Sequence, residues 1–246
     1  MTDLVSVIIP AFNAAPTLER AVASALAQTH QAIRVIIVND GSRDDTGPVA
    51  RMLAAHDDRI TVITHEATLG AGAARNTGIA AATGRFVAFL DADDEWHVTK
   101  LAQQVALMNK AGTTFCYTGF ERIFPDGRQR VVRVPTTITY RRLLNGNVVC
   151  CSSVVVLRSA QGDCRFPDLT RRQDFAMWLD LLRQGATGVG VDEPLVRYHV
   201  TAASLSSDRW ASLSATYAVY RRHLGLSAPR AVWHMCRHLL QRLLRG

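Results

Sequence analysis

Four short apolar runs separated by helical patterns constrain the fold of this chain more than any other feature. The runs cover residues 5–9, 35–38, 60–63 and 86–90. Between them, the spacing of one helix face predicts helices over residues 18–28, 46–56 and 71–82. Continuous apolar strands alternating with helices are typical of a parallel sheet covered on both faces. We therefore predict an α/β protein whose first half is Rossmann-like, with a mostly parallel central sheet.

The pattern changes after about residue 112, where a Pro-Asp-Gly turn at residues 125–127 predicts a pair of antiparallel strands. Further strands are expected at residues 153–157, 187–191 and 195–198, and further helices at 140–145, 174–183, 210–224 and 229–244. We predict one domain over residues 1–225, formed by halves at 1–112 and 113–208, and a C-terminal helix at 226–246.

Composition excludes two classes of protein. The chain has 246 residues, of which 48% are hydrophobic and 20% charged, so it is too apolar to be disordered. No apolar run is long enough to span a bilayer, and residues 1–9 lack the pattern of a signal peptide. We expect a cytoplasmic protein whose five cysteines are reduced. These cysteines form no CxxC pair and no Cys/His metal spacing.

Each predicted strand of the first half is followed by a polar cluster. The clusters are PAFN at residues 10–13, NDGS at 39–42, LGAGAARN at 69–76 and DADDE at 91–95. In open parallel sheets, ligands bind where the carboxyl ends of the strands meet. We therefore expect one binding pocket at this edge.

Taken singly, each cluster also has a structural interpretation. Asp40-Gly41 is a common turn pair, Gly70-Ala71-Gly72 can cap a helix, and Phe12 can be a core aromatic. The acidic cluster can be a solvated loop. However, Asp91 follows an apolar run directly, where a divalent cation would offset the desolvation of a carboxylate. Mn²⁺ or Mg²⁺ held there would neutralise the charge of a departing nucleotide diphosphate.

Together these segments resemble family 2 glycosyltransferases with the GT-A fold. The matching stretches are VSVIIPAFN (5–13), VNDGSRDDT (38–46), GAGAARNTG (70–78), FLDADD (89–94), RQDFAMWL (172–179) and YHVTAASLS (198–206). The second half is most similar to bacterial enzymes of capsule, exopolysaccharide and teichuronic acid assembly. The resemblance extends to about residue 222.

The resemblance implies a role for each matching site residue. Pro10, Ala11, Phe12, Asn13 and Asp40 would contact the nucleoside, with Asp40 reading uracil. Arg75 would approach the nucleotide, Asp91 the ribose or donor sugar, and Asp93 would be the principal metal ligand, assisted by Asp91. Asp174 would be the general base of an inverting displacement, in which the acceptor hydroxyl attacks opposite the leaving diphosphate.

Three departures from the family pattern are present. After Asn13 the chain continues with Ala14-Ala15, without the acidic residue often found there. Gln173 stands where the family often has Glu, so an acceptor contact would be neutral here. His199 stands where relatives have Arg or, in some, a metal-binding His. Both metal ligation and simple hydrogen bonding are open for His199.

The basic excess of the chain lies at its C-terminus. The formal net charge is +7, and residues 209–246 contain seven arginines and no acidic residue. The periodicity of residues 229–244 predicts an amphipathic helix with Val232, Met235, Cys236 and Leu239 on one side. Such a helix can lie on an anionic membrane, where each arginine adds ~1 kcal/mol. It can equally be a closing helix that packs on the domain and leaves a solvated basic face.

The leading functional hypothesis is the transfer of a sugar from a nucleotide-sugar to a hydroxyl of a polysaccharide or lipid-linked oligosaccharide. The expected donor is a UDP-sugar. The alternatives are a sugar nucleotidyltransferase and a catalytically inactive, membrane-associated assembly factor. Nucleic acid is not an expected partner, because aromatic and basic residues are not interleaved. The protein would act in the cytoplasm, free or on the inner face of the membrane.

Overall fold

The computed structural model describes residues 3–162, 164–200 and 209–245. Its first four strands are parallel neighbours in the order β3-β2-β1-β4. They are β1 (Val5–Ala11), β2 (Ile33–Asn39), β3 (Ile60–Thr64) and β4 (Phe86–Phe89). Apolar, mostly β-branched residues fill these strands because both faces of the sheet are covered. The parallel first half predicted from sequence is therefore confirmed.

Helices follow β1, β2, β3 and β5 along the chain. They are α1 (Ala15–Leu26), α2 (Thr46–His56), α3 (Ala71–Ala81) and α4 (Lys100–Ala111). Helix α1 buries Leu18, Val22 and Ala25, which recur at helical spacing. Small residues form α3 because it lies very close to β1: a Cβ added at Gly78 would lie 2.4 Å from Cγ2 of Ile8. Helix α4 was not among the elements expected from sequence, although Leu101, Val105 and Met108 line its buried side.

The second half extends the same sheet. Its strands are β5 (Glu95–Trp96), β6 (Phe115–Ile123), β7 (Gln129–Val132), β8 (Thr137–Ile138), β9 (Val155–Leu157) and β10 (Gly188–His199). Strand β9 lies antiparallel between β4 and β6, and β10 runs parallel to β6. Strands β6 and β10 therefore point the same way as β1 to β4, so the central sheet is mostly parallel. The expected turn at residues 125–127 joins the antiparallel strands β6 and β7.

Five helices complete the described chain. They are α5 (Tyr140–Leu144), α6 (Arg158–Gln161), α7 (Gln173–Arg183), α8 (Arg209–Ala218) and α9 (Ala228–Arg245). Helix α8 continues as a π-helical turn over Val219–His223, so the single helix expected at residues 210–224 changes its winding. The two strands expected at residues 187–191 and 195–198 are one strand, β10. Register shifts on both sides of Pro194 interrupt the pairing of β10 with β6 without ending the strand.

The sheet separates two hydrophobic cores. One contains Ile8, Phe89 and Trp178 and includes residues of α3, α7 and α9. The other contains Val7, Leu18 and Leu101 and includes residues of α1, α2 and α4. Helices therefore cover both faces of the sheet, as expected. Among the described helices, none combines the length and the apolar character that crossing a bilayer requires.

Candidate functional site

The loops after β1 and β2 are tied together at the carboxyl edge of the sheet. The amide of Asn13 donates to Ser42 Oγ at 3.0 Å, and Asn13 Oδ1 accepts from the amide of Arg43 at 3.0 Å. Asn13 has a φ of 48°, a left-handed conformation that Asn tolerates. Phe12 is 50% exposed, so it is not a core aromatic. Its ring is available at the surface for stacking on a planar ligand.

Asp40 anchors the loop that leads into α3. Its carboxylate accepts from the amides of Leu69 and Gly70, at 2.9 and 2.8 Å, and lies 2.7 Å from His65 Nδ1. His65 Nε2 in turn lies 2.9 Å from Thr77 Oγ1. Three of about four acceptor positions of the carboxylate are thus used inside the protein. The remaining acceptor position belongs to a side chain that is almost fully buried.

Two glycines allow this edge to form. Gly41 has a φ of 65°, and a Cβ there would lie 2.7 Å from the carbonyl carbon of Ala67. Gly70 has a φ of 94° just before α3. A side chain is disfavoured at such positive φ values. The Asp40-Gly41 pair is therefore both a turn, as its alternative interpretation held, and the base of the site.

Arg75 and Asp91 form an ion pair inside the site. Arg75 Nη2 lies 2.5 Å from Asp91 Oδ1, and the guanidinium lies over the ring of Phe166 at 5.2 Å. Burial disfavours the charge on Arg75, but Asp91 and, more weakly, Asp174 more than offset this effect and raise its pKa. Arg75 is therefore a permanent cation between carboxylates that are 83 positions apart in the chain.

The acidic cluster contains carboxyl groups in different environments. Burial, and then repulsion from Asp91, raise the pKa of Asp93 to about 6. Asp94 is fully buried; it accepts from Ser152 Oγ at 2.5 Å and from the amide of His199 at 3.1 Å. Burial and the charges of Asp91 and Asp93 raise the pKa of Asp94 well above its ordinary value. Asp94 thus connects the cluster to the second half, whereas Asp91 and Asp93 reach the site.

His199 reaches the acidic cluster from the end of β10. Its Nε2 lies 2.8 Å from Glu95 Oε1, and Arg20 Nε lies 3.2 Å from the same oxygen. In the tautomer protonated at Nε2 the ring donates to Glu95, which leaves Nδ1 as the nitrogen that could bind a cation. Residues 198–206 were matched to a family stretch by sequence. Only 198–200 of them belong to the described part of the chain, because 201–208 lie outside it.

Asp174 lies in the first turn of α7, partly buried. Arg172, the residue just before α7, has a φ of 64°, which turns the chain sharply into the helix. Gln173 donates to the carbonyl of Leu169 and packs against Gly72 of α3. Gln173 therefore joins the starts of α7 and α3, and a neutral acceptor contact at this position stays a prediction.

The residues present suit a divalent cation held in an open site. Asp91 and Asp93 offer oxygen ligands, which Mg²⁺ and Mn²⁺ prefer, and a cation would relieve the cost of ionising Asp93. In the described part of the chain, no three His, Cys, Asp or Glu side chains converge as a closed metal site. Two carboxylates leave coordination positions for water and phosphate oxygens.

The structure brings most of the predicted residues to one edge. Phe12, Asn13, Asp40, Arg75, Asp91, Asp93, Asp174 and His199 lie there. Ala11 is buried, and its carbonyl accepts from the amide of Asp40 at 2.8 Å, so its side chain does not line the site. Pro10 is paired within β1 with Val38 and is only partly exposed.

Sequence reasoning missed three supporting residues. His65 braces Asp40, Ser152 holds Asp94 and the amide of Asp91, and Arg20 donates to the carbonyl of Asp93 at 2.9 Å. Asp94 lies in the FLDADD stretch (89–94) that resembles the family, but no separate role was predicted for it. Ser152 had no sequence signal, because its contacts join positions about 60 residues apart.

Comparison with known proteins agrees with this arrangement. The family described as Glycosyl transferase family 2 matches residues 6–161. A putative teichuronic acid biosynthesis glycosyltransferase, TuaG of Bacillus subtilis, is 37% identical over 94% of this chain and 92% of its own. WfgD of Escherichia coli, named as a UDP-Glc:alpha-D-GlcNAc-diphosphoundecaprenol beta-1,3-glucosyltransferase, is 32% identical over 88% of this chain and 85% of its own.

Solved structures share the fold. Residues 1–349 of Staphylococcus aureus TarS, in complex with UDP, match with a TM-score of 0.73 and 18% identity, covering 96% of this chain and 70% of that one. The mannosyltransferase PcManGT of Pyrobaculum calidifontis, in complex with GDP-Man and Mn²⁺, matches with a TM-score of 0.71 and 16% identity, covering 98% and 75%. The predicted GT-A fold is confirmed. With its motifs at the carboxyl edge of this sheet, the chain belongs to glycosyltransferase family 2.

Proposed function

We propose that this enzyme transfers a sugar from a UDP-sugar to a hydroxyl of a polysaccharide or lipid-linked oligosaccharide, with inversion at the anomeric carbon. The observation that carries the proposal is the convergence of Asp91, Asp93, Arg75 and Asp174 at one edge of the sheet. Two carboxylates and a cation face the diphosphate end of a donor. A third carboxylate comes from the second half of the chain.

The loops after β1 and β2 would hold the nucleoside. Phe12 presents an exposed ring for stacking on the base, beside the linked segment of Asn13 and Ser42. Asp40 retains about one acceptor position, which suits the N3–H of uracil. The names of relatives support a nucleotide-linked donor: WfgD carries UDP-Glc in its name, whereas PcManGT was solved with GDP-Man. The choice of uracil for this chain therefore rests on Asp40.

Asp93 and Asp91 would hold a divalent cation, and a bound cation supplies Lewis-acid neutralisation of the leaving diphosphate. Arg75 contributes a fixed positive charge beside the same group and holds Asp91 in place through its ion pair. The buried Asp94 fixes the loop against Ser152 and His199. His199, oriented by Glu95 and near enough to act electrostatically on Asp93, would be a further ligand through Nδ1.

Asp174 would act as the general base. As the acceptor oxygen bonds to the anomeric carbon, the bond from that carbon to the diphosphate oxygen breaks, and the electron pair leaves with the diphosphate. The hydroxyl proton passes to the Asp174 carboxylate. Its place in the first turn of α7 brings the carboxylate within electrostatic reach of Arg75.

The acceptor is proposed from chemistry shared with relatives. WfgD is named for an acceptor linked to diphosphoundecaprenol, and TuaG for teichuronic acid synthesis. A glycan carried on a lipid diphosphate would place the enzyme at the cytoplasmic face of a membrane.

Nucleotide binding tests the donor site directly. Isothermal titration of UDP, GDP and CMP, with and without Mn²⁺, should show Mn²⁺-dependent binding of UDP alone. Asp93→Ala should abolish the Mn²⁺-dependent part, whereas Asp126→Ala, a charge removed from an exposed turn, should leave it unchanged. A well-folded protein that binds none of the three nucleotides would overturn the proposal.

A second variant tests the role of Asp174 as general base separately from nucleotide binding at the donor site. Asp174→Asn should still bind UDP but should lower UDP release from a UDP-sugar and acceptor by about 10²–10⁴-fold. Equal turnover in Asp174→Asn and the wild type would remove Asp174 from the mechanism while leaving the donor site standing.

A further inference from the structure

Helix α9 packs on the domain through its more polar side. Ala231 and His238 are buried, and the ring of His238 lies 5.9 Å from that of Phe175 in α7. His234 Nδ1 lies 3.1 Å from Asn145 Oδ1. Gln241 lies against Gly146 on the same side. The contacts that hold α9 to the domain are therefore made by histidine and amide groups together with Ala231 and Met235.

The opposite side of α9 is apolar and exposed. Val232, Trp233, Leu239 and Leu240 are 52, 61, 37 and 56% exposed, and we call this side the outer face of α9. At about 100° per residue, these positions lie away from Ala231 and His238. A closing helix would bury its apolar side and leave a basic face to solvent. The second interpretation of the tail is therefore met in part: α9 packs on the domain, but much of its apolar side faces outward.

Basic residues border the outer face. The guanidinium of Arg237 lies 5.8 Å from the ring centroid of Trp233, and Arg230 is also exposed. Residues 209–246 hold seven arginines and no acidic residue. A second exposed tryptophan, Trp210, lies in the first turn of α8, which contacts α9. Exposed tryptophan beside arginine is the composition that suits the boundary between lipid headgroups and acyl chains.

We propose that the outer face of α9 docks on an anionic lipid bilayer, with the helix lying in the plane of the interface. The apolar side chains enter the acyl boundary, and the bordering arginines bind lipid phosphates. A second copy of the chain fits less well, because a two-fold contact would bring two arginine-rich tails together without an acidic partner. The proposal goes beyond sugar transfer and does not depend on it.

Vesicle co-sedimentation of the full chain tests the proposal. The protein should bind phosphatidylcholine vesicles containing phosphatidylglycerol, and should bind at least about tenfold less to phosphatidylcholine alone or in high salt. Val232→Ser with Leu240→Ser should weaken binding by at least about tenfold. The matched control is Met52→Ser with Val131→Ser, two apolar residues exposed elsewhere, which should bind as the wild type does.

Two further measurements keep the outcome unambiguous. Circular dichroism and UDP titration should be the same for both double variants and the wild type, because all four positions are exposed and outside the donor site. Brominated phosphatidylglycerol vesicles should quench Trp233 fluorescence, taken as the difference from Trp233→Phe. No binding to the anionic vesicles, or equal binding by the two double variants, would overturn the proposal. A lipid-free dimer that only Val232→Ser with Leu240→Ser dissociates would assign the face to a second copy instead.

Discussion

At the scale of single residues, Arg75 shows why a buried charge can persist in this site. Its side chain is buried, yet Asp91 neutralises it directly and Asp174 contributes from α7. Removing one partner of such a pair leaves the other charge buried, which is far more costly than removing both. Arg75, Asp91 and Asp174 should therefore be treated as one electrostatic unit.

Lys100 differs from Arg75, because burial lowers the pKa of Lys100 whereas the pKa of Arg75 is raised. Its Nζ is buried, has no hydrogen-bond partner within the described residues, and lies 4.0 Å from the ring centroid of Trp96. Burial lowers its pKa from 10.5 to about 7. The unfolded chain therefore binds more protons than the folded protein between about pH 7 and 10.5, so the stability of the wild type should rise with pH in that window.

We predict that Lys100→Met raises the free energy of unfolding by about 1–3 kcal/mol near pH 7, because it removes a buried group without a hydrogen-bond partner. The difference from wild type should narrow as the pH rises towards 10.5, where Lys100 is neutral in both states. Urea unfolding across this range is the measurement, with the exposed Lys110→Met as the control. Parallel stability curves for wild type and Lys100→Met would contradict the prediction.

At the scale of elements, the packing of α3 on β1 sets the position of the donor site. Helix α3 carries Arg75 and begins at Gly70, which is held by Asp40. Its close approach to the sheet requires glycine at position 78, where an added Cβ would lie 2.4 Å from Ile8 Cγ2. Both atoms lie in a filled core, so the contact cannot be relieved without moving the helix.

We predict that Gly78→Ala lowers the free energy of unfolding by about 1–3 kcal/mol, because overpacking outweighs the better helix propensity of alanine. Gly72→Ala on the same helix should be close to neutral, since its Cβ would meet only the end of the Gln173 side chain, at 3.2 Å. In an Ile8→Ala background, the cost of Gly78→Ala should shrink. Denaturant titration measures all four variants, and equal costs in both backgrounds would show that Ile8 is not the obstacle.

At the scale of the whole molecule, α9 has two faces with separate roles. Its inner side contacts α7, the helix that carries Asp174, through the His238 and Phe175 rings. The hydroxyl of Tyr220 donates to the carbonyl of Leu144 at 2.6 Å and lies 3.5 Å from His238 Nδ1. The C-terminal helix therefore braces the second half of the site while its outer face remains exposed.

We predict that His238→Ala lowers stability by about 1–2 kcal/mol, which corresponds to a fall of roughly 2–8 °C in Tm for a domain of this size. The exposed Leu240→Ser should leave Tm within about 1 °C, since surface substitutions cost little. Differential scanning calorimetry makes the comparison. Equal losses of Tm in the two variants would mean that the faces of α9 are not distinct.

The amino-acid sequence by itself determined the alternation of the first half, its α/β class and the polar clusters at the strand ends. These features are local: apolar runs specify strands, and the residues that follow parallel strands must meet at one edge. The family motifs added Asp174, and the assignment to glycosyltransferase family 2 removes the nucleotidyltransferase alternative.

Only the tertiary structure decided which side chains contact each other across the chain. The bracing of Asp40 by His65, the burial of Asp94 against Ser152 and the proximity of Arg75 to Asp174 join positions 25 or more residues apart, and no local pattern encodes them. The continuity of β10 through Pro194 and the orientation of α9 were also decided there. Periodicity predicts that a helix has an apolar side, but the surface that meets the helix decides whether that side is buried.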